Sequence, residues 1–276
     1  YIQGPKNGPV LHWAHANGFN AATYQNLLTK LSQFCHIYAW DARAHGQSYK
    51  VPLNTTESIY DQYVHDFKKL IKLLYHKHST PIIAAGHSFG ATICIKAASQ
   101  LTENLSKLIL ADPVLFTPLT AKISQILRFL KFKNPRAIYL ARNATKRTNY
   151  WVSREAAFLN LSKKSTFKEW DNISLKNYIR YGTLQNSDGV RLSCRREVEA
   201  SIFQESENEF LSTAIANLHI NTHAYFAANG SPAFARYSFQ KSIRTKTFKT
   251  IPSSNHLFPI EKFKEFSEEI QPHIAN

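Results

Sequence analysis

Residues 81–95, PIIAAGHSFGATICI, contain two apolar runs separated by a Gly-x-Ser-x-Gly turn. The first run is short and ends at glycine, which is typical of a buried strand, and the second has the length of a helix. Glycines two residues on either side of Ser88 leave room for a strained strand-to-helix turn. The sequence therefore predicts that the Ser88 hydroxyl projects from the carboxyl edge of a sheet.

The same alternation of short apolar runs and longer amphipathic stretches extends through the first 114 residues. The predicted strands are 10–15, 36–41, 81–86 and 107–112. The predicted helices between them are 22–34, 57–75 and 90–101. Strands joined by helices of this length form a mostly parallel sheet with helices on both faces, so the fold class is α/β.

After Asp112 the strand pattern gives way to aromatic and basic segments with helical spacing, which continue to about residue 215. Two further strands are then predicted at 219–228 and 245–251, and a closing helix at 258–270. We therefore predict an α/β core formed by residues 1–114 and 216–276, interrupted by a mainly helical cap at 115–215.

The chain is strongly basic, with 34 Lys and Arg against 19 Asp and Glu in 276 residues, and a formal net charge of +15. No acidic residue occurs between Pro113 and Arg154. This stretch either forms a solvated helix face or attracts an anionic surface. Because no nucleic-acid-binding motif accompanies the charge, specific binding of nucleic acid is not expected.

The cysteine content and the hydropathy of the sequence indicate the cellular compartment in which the protein is expected. Cys35, Cys94 and Cys194 are odd in number and widely spaced, so neither a disulfide framework nor a zinc site is predicted. The sequence has neither an apolar run of membrane-spanning length nor a signal-peptide pattern. We expect a cytoplasmic protein, and the sequence leaves its oligomeric state open.

A serine hydroxyl becomes an effective nucleophile only when a base removes its proton and a third group orients that base. His256, in SSNHLFP, lies between the last predicted strand and the last helix, at the same sheet edge as Ser88. His15, His45 and His87 also lie near strand ends, where each is more simply a hydrogen-bonded turn residue. His256 is therefore the candidate base.

The acid that orients His256 is predicted by excluding the positions that lack a carboxylate. No Asp or Glu occurs between Glu209 and Glu261, so the loop after the penultimate strand cannot supply a carboxylate. Asp112 ends the strand that follows the Ser88 turn and is the preferred candidate, with Asp41 and Asp66 as alternatives.

An acyl-transfer site also needs N–H donors for the developing oxyanion. The backbone N–H of Phe89, at the start of the helix, supplies one, and the loop at 15–19 is expected to supply the other. Such chemistry needs neither a metal nor an organic cofactor, so none is expected.

The ordered motifs resemble those of the α/β-hydrolase superfamily across 1–114 and 216–276; they are HANGF (15–19), DARAHGQS (41–48), GHSFG (86–90), ADPV (111–114) and SNHLFP (254–259). The resemblance implies an α/β-hydrolase fold with the cap inserted after the sixth strand. It implies Ser88 as nucleophile, His256 as general base, and the N–H groups of Asn17 and Phe89 as the oxyanion hole. In some members the acid lies where Asp112 stands.

Two departures from the superfamily pattern are Ala16 and Ala44, which stand where glycine is usual. Residues 187–203 also resemble, more weakly, the cap of a lipase-like subgroup.

The cap is expected to determine which substrate is bound. Its aromatic residues suggest an apolar acyl or aryl pocket, and for most of them ordinary packing in the core of the cap is the expected alternative; they are Phe116, Phe129, Phe132, Tyr139, Tyr150, Trp151, Phe158 and Trp170. Residues 119–132 have an apolar stripe flanked by basic residues. Such a stripe suits a helix packed on the core, or a lid on an anionic membrane surface.

The function expected from these residues is a serine hydrolase that cleaves a small-molecule carboxylic ester through an acyl-enzyme. A thioester, a lactone or a carbon–carbon bond beside a ketone could be cleaved by the same groups. The alternative from another class is a catalytically silent binding module with a basic cap.

Overall fold

The protein is described here by a computed structural model of residues 2–5, 7–114, 135–205, 211–230, 236, 239–240 and 245–275. The described residues form a central sheet of seven strands in the order β1-β3-β2-β4-β5-β9-β10. The strands are β1 (Ile2–Gln3), β2 (Val10–Ala14), β3 (His36–Ala39), β4 (Ile82–His87), β5 (Leu105–Ala111), β9 (Asn221–Ala227) and β10 (Thr245–Ile251). All pairs are parallel except that of β1 with β3. This architecture confirms the predicted fold class.

Helices cover both faces of the sheet. They are α1 (Gln25–Leu31), α2 (Ile59–His78), α3 (Phe89–Ala98), α9 (Phe258–Glu261) and α10 (Phe263–Ala275). The predicted strands end within two residues of the observed ones. The predicted closing helix is instead two helices, which are interrupted at Lys262.

The sequence before Ser88 is apolar because strand β4 is buried on both faces of the sheet. All six of its residues are buried. Ile83 and Ala85 pack in the cluster on one face of the sheet, whereas Ile82 and Ala84 pack in the cluster on the other. Because successive side chains point to opposite faces, a strand covered on both sides needs apolar residues at every position.

Between β5 and β9 lies an inserted segment. Its described elements are α4 (Pro135–Lys146), β6 (Tyr150–Trp151), α5 (Arg154–Leu161), α6 (Asn172–Gly182), β7 (Thr183–Asn186), β8 (Gly189–Leu192), α7 (Arg196–Glu205) and α8 (Ser212–Ala216). It follows the fifth strand of the chain, not the sixth, because a single short strand precedes β2. The division into core and cap domains stays a prediction.

The inserted segment also contains an antiparallel sheet in the order β6-β8-β7, which the sequence analysis did not predict. Its strands have only two to four residues, too few for an alternating pattern to be recognised.

Polar contacts join the inserted segment to the rest of the protein. The Glu205 carboxylate accepts hydrogen bonds from the Ser58 hydroxyl and the Ile59 N–H, both at 2.7 Å. The Asn26 amide donates to the Asp171 carboxylate at 3.0 Å. These contacts hold the segment against α1 and the start of α2.

Several predicted features lie outside the described residues, namely the amphipathic stretch 119–132 and the aromatic residues Phe116, Phe129 and Phe132. Binding of this basic region to an anionic membrane stays a prediction. None of the described helices combines the length and apolarity required to cross a bilayer. Cys35, Cys94 and Cys194 are buried free thiols.

Candidate active site

Ser88 occupies the turn between β4 and α3 with φ 53° and ψ −114°, a backbone conformation that non-glycine residues rarely adopt. A Cβ on Gly86 would lie 2.7 Å from the Gly90 carbonyl carbon, and a Cβ on Gly90 would collide with the Ala14 backbone. The two glycines therefore provide the room that the sequence motif predicts for this turn.

Ser88, His256 and Asp112 come together at the carboxyl edge of the sheet. The Ser88 Oγ lies 2.8 Å from His256 Nε2, and His256 Nδ1 lies 2.6 Å from Asp112 Oδ2. An ionised carboxylate only accepts hydrogen bonds, so Nδ1 carries the proton when the imidazole is neutral and Nε2 is left to accept from the Ser88 hydroxyl. This is the geometry required for proton transfer from serine to histidine.

Asp112 directly follows β5 and is completely buried. Its Oδ1 accepts from the Ala227 N–H at 3.3 Å. A Cβ on Gly230 would lie 2.5 Å from Asp112 Oδ2, so the loop after β9 packs against this carboxylate without supplying one of its own.

The alternative acids have other partners. Asp66 forms a two-point ion pair with Arg43 at 2.6 and 2.7 Å. Asp41 accepts from the N–H groups of Ala21 and Gln47. These contacts leave Asp112 as the carboxylate that contacts His256.

Two hydrogen bonds orient the loop that carries Asn17. The Ala16 carbonyl accepts from the Phe19 N–H at 3.2 Å and lies 2.8 Å from His15 Nδ1. Since His15 Nε2 accepts from the Ala42 N–H at 3.0 Å, Nδ1 carries the ring proton and donates to this carbonyl. In a trans peptide the next N–H points away from the carbonyl, so the Asn17 N–H points away from these groups.

The Asn17 N–H and the Phe89 N–H donate to no acceptor among the described residues. Both residues line the same cavity as Ser88. Phe89 is the first residue of α3, where the helix dipole favours negative charge. These two N–H groups can therefore stabilise an oxyanion next to Ser88.

Buried histidines near the site are uncharged. Burial lowers the pKa of His15 to about 4 and that of His45 to about 3. His45 Nε2 accepts from the Gly18 N–H at 3.1 Å, so its Nδ1 donates to the Arg43 carbonyl at 2.9 Å. As the sequence analysis expected, both residues are hydrogen-bonded turn histidines, and they fix the backbone of the 15–19 loop.

A cavity of about 750 Å³ lies over Ser88. Much of its wall is apolar, with side chains from both the central sheet region and the inserted segment; examples are Phe19, Tyr60, Trp151, Phe167, Leu192 and Ile202. An apolar wall of this kind suits an apolar acyl or aryl group.

Of the aromatic residues expected in this pocket, Trp151 lines the cavity. Tyr139 and Tyr150 were expected there as well, but they are 64% and 44% exposed. Trp170 packs edge-on against Phe167 in the core. The core position of Trp170 agrees with the core packing expected for most of these aromatic residues. The pocket prediction is wrong for Tyr139 and Tyr150, because aromatic content does not indicate which face of a helix or strand meets the cavity.

An ion pair that sequence reasoning missed forms a polar part of the cavity wall. Arg147 Nη1 lies 2.8 Å from Glu199 Oε2, and Arg147 Nη2 donates to the Tyr178 hydroxyl at 3.3 Å. Burial raises the pKa of Glu199, and Arg147 opposes that rise. The Asn17 side chain donates to the Glu199 backbone carbonyl at 3.0 Å, which connects the pair to the 15–19 loop.

Comparisons with known proteins show the family and the fold of the chain. Residues 7–176, more than half of the chain, match the family described as Serine aminopeptidase, S33. Over 112 residues the chain is 31% identical to 2-(acetamidomethylene)succinate hydrolase of Mesorhizobium japonicum, covering 41% of this chain and 37% of that relative. The aligned stretch thus spans little more than a third of that relative.

Solved structures of low sequence identity share the fold. E-2-(acetamidomethylene)succinate hydrolase superposes with a TM-score of 0.81 at 16% identity, over 100% of this chain and 94% of that one. The peroxisomal alpha-beta-hydrolase Lpx1 of Saccharomyces cerevisiae gives 0.78 at 17% identity, over 98% and 78%. The thioesterase domain of the curacin biosynthetic pathway gives 0.73 at 17% identity, over 98% and 93%.

Proposed function

The chain belongs to the serine aminopeptidase S33 family of α/β-hydrolases, and from this membership and the site geometry we propose that it is a serine hydrolase that cleaves a small-molecule carboxylic ester. The observation that carries the proposal is the continuous contact from Ser88 through His256 to the buried Asp112 carboxylate, at 2.8 and 2.6 Å. In the proposed site Ser88 is the nucleophile, His256 the general base and Asp112 its orienting acid.

In the acylation step, Ser88 Oγ attacks the ester carbonyl carbon while His256 Nε2 takes the hydroxyl proton. The Asp112 carboxylate stabilises the imidazolium that forms. The carbonyl oxygen becomes an oxyanion and accepts hydrogen bonds from the N–H groups of Asn17 and Phe89. When the oxyanion collapses, the carbon–oxygen bond to the alcohol breaks and His256 gives its proton to the leaving oxygen.

Deacylation repeats these steps with water as the nucleophile and Ser88 Oγ as the leaving group. A water molecule attacks the acyl-enzyme carbonyl and gives a proton to His256 Nε2. Collapse of the second oxyanion breaks the bond to Ser88 Oγ, which takes its proton back, and the carboxylic acid leaves. The apolar wall of the cavity supports an apolar acyl or aryl group as the part of the substrate that is bound there.

The proposal is tested with a fluorophosphonate probe and intact-mass analysis. We expect one adduct on the unaltered protein, none on Ser88→Ala, and one on Ser193→Ala, a buried serine whose hydroxyl donates to the Gly182 carbonyl. Absence of an adduct on the unaltered protein would favour the binding-module alternative.

Substrate class is tested on the unaltered protein, without the probe, with a panel of aryl esters of increasing acyl length, thioesters and lactones. The Mesorhizobium relative is named for hydrolysis of 2-(acetamidomethylene)succinate, so the panel also includes acetamido compounds. We expect the highest kcat/KM for an ester. A higher value for another bond type would keep the serine mechanism and replace the ester assignment.

A further inference from the structure

His87, the residue before Ser88, lies within a chain of hydrogen bonds that the proposed mechanism does not use. The Ala16 N–H donates to the Tyr24 hydroxyl oxygen at 3.1 Å. That oxygen lies 2.8 Å from His87 Nδ1. On the other side of the ring, His87 Nε2 lies 2.8 Å from the backbone carbonyl oxygen of His256.

The groups at the two ends of this chain of hydrogen bonds determine which atom carries each proton. The His256 carbonyl can only accept, so His87 Nε2 carries a proton and donates it. In a neutral imidazole the other nitrogen is then an acceptor, so His87 Nδ1 accepts from the Tyr24 O–H. The Tyr24 oxygen in turn accepts from the Ala16 N–H. Every donor and acceptor along the chain is matched with this one arrangement.

The surroundings keep His87 in this neutral form. Its side chain is completely buried, and Tyr24 is 1% exposed. Burial, together with the nearby His256 ring, lowers the pKa of His87 well below its usual value. The centroids of the two imidazole rings are 4.9 Å apart. A charged His87 would lack the acceptor for Tyr24 and would repel a protonated His256.

We propose that His87 is a positioning residue, which holds the His256 backbone while Tyr24 extends the connection to the loop that bears Asn17. The inference rests on the proposed function, because it assigns His256 as general base and Asn17 as oxyanion donor. The chain thereby joins three segments that are far apart in sequence, namely the 15–19 loop, the nucleophile turn and the His256 loop.

The proposal predicts a loss in the chemical step with little change in substrate binding, since neither Tyr24 nor His87 lines the cavity. A displacement of about 1 Å in a catalytic group lowers the rate about 10²-fold. We therefore expect His87→Leu to lower kcat about 10²-fold and to change KM less than about twofold. His87→Gln, which keeps an N–H within reach of the carbonyl, is expected to recover most of the loss.

Tyr24→Phe provides a second, milder variant that retains the ring packing and removes only the hydroxyl. We expect a drop in kcat of about tenfold, corresponding to a smaller displacement. The matched control is Tyr38→Phe, which also breaks a 2.8 Å tyrosine–histidine hydrogen bond, to His78, away from Ser88. Its kcat is expected to equal that of the unaltered protein.

The experiment measures kcat and KM of an aryl ester and the rate of phosphonylation of Ser88 for each variant, with circular dichroism to confirm folding. Because Tyr24 and His87 act through the same chain of hydrogen bonds, kcat of the double variant Tyr24→Phe/His87→Leu should fall by less than the product of the two single losses. Multiplicative losses, or an unchanged kcat in folded Tyr24→Phe and in folded His87→Leu, would overturn the inference. Failure of the unaltered protein to react with the probe would instead overturn the proposed function, and the inference with it.

Discussion

At the scale of single residues, the identity of the acid can be decided by substitution. Replacing Asp112 by Asn removes the negative charge that stabilises a protonated His256, and the amide N–H₂ favours the tautomer in which Nε2 cannot accept from Ser88. We expect Asp112→Asn to lower kcat about 10³- to 10⁴-fold. The measurement is steady-state hydrolysis of the best ester.

The control for that variant is Asp66→Asn, because Asp66 pairs with Arg43 of the 41–48 loop. We expect it to keep kcat within about twofold, because Asp66 contacts Arg43 and not His256, so that its loss affects stability more than the chemical step. A large loss of kcat in Asp66→Asn together with a small one in Asp112→Asn would contradict the assignment of the acid.

Ala44 shows how a departure from a sequence pattern is accommodated. Its φ is 60°, in the left-handed region where glycine is preferred, and its N–H donates to the Ser48 carbonyl at 3.1 Å. The methyl group costs about 1 kcal/mol in this conformation, which the surrounding turn has to offset. The sequence identified the unusual position, and its tolerance depends on the turn.

At the scale of elements, the Arg147–Glu199 pair connects the end of α4 with α7. Removing one partner leaves the other charge without compensation in a largely buried site. We expect Arg147→Met to lower the free energy of unfolding by about 2 to 3 kcal/mol, and the double variant Arg147→Met/Glu199→Leu to recover part of that loss. Urea unfolding of the single and double variants measures both values.

The control for the Arg147–Glu199 pair is the ion pair between Lys249 and Glu269, which is more exposed. The exposed fractions of these two side chains are 48% and 33%. Lys249→Met is expected to change the free energy of unfolding by less than about 1 kcal/mol. Equal effects of Arg147→Met and Lys249→Met would show that the Arg147–Glu199 pair behaves as a surface ion pair.

The elements also show where sequence patterns stop being informative. The six parallel strands of the central sheet were predicted closely because buried parallel strands are continuously apolar and end at glycine, proline or polar residues, whereas the two-residue antiparallel strand β1 was not predicted. The antiparallel sheet β6-β8-β7 was missed, since its strands are short and half-exposed. The closing helix was predicted as one element, whereas Lys262 separates two.

At the scale of the whole molecule, four completely buried histidines dominate the expected response to acid; they are His12, His15, His45 and His87. Burial lowers the pKa of His12 to about 3, and neither of its ring nitrogens has a hydrogen-bond partner in the part of the chain that the structure describes. The unfolded chain therefore binds more protons than the folded one below the ordinary histidine pKa of about 6.5. Their contribution to stability is fully present above that pH and is lost as the pH falls from about 6.5 towards about 3 to 4.

Each such group lowers the free energy of unfolding by up to about 1.4 kcal/mol per pH unit within this window. Glu199 has the opposite effect at the lower end of this pH range. Because its pKa is raised in the folded protein, the folded protein binds this proton at a higher pH than the unfolded chain does. Urea unfolding at pH 7, 6 and 5 should show a steep decrease. His12→Leu should make the decrease shallower, and an unchanged slope in that variant would contradict the role of His12.

The sequence by itself determined the positions of the parallel core strands along the chain, the nucleophile turn and the candidate residues Ser88, His256 and Asp112. These follow from short-range patterns, since a strand, a turn and a strand end are each specified by a few adjacent residues. The absence of acidic residues between 209 and 261 directed the prediction of the acid to Asp112, with Asp41 and Asp66 as alternatives, without any knowledge of packing.

Tertiary structure alone decided what surrounds those residues. The Arg147–Glu199 pair joins positions 52 residues apart, and the contact of Asn17 with Glu199 joins positions 182 apart. The hydrogen-bond chain through Tyr24 and His87 depends in the same way on side chains meeting in three dimensions. Such contacts leave no periodic signal, because packing of distant segments, and not local backbone preference, determines which side chains meet.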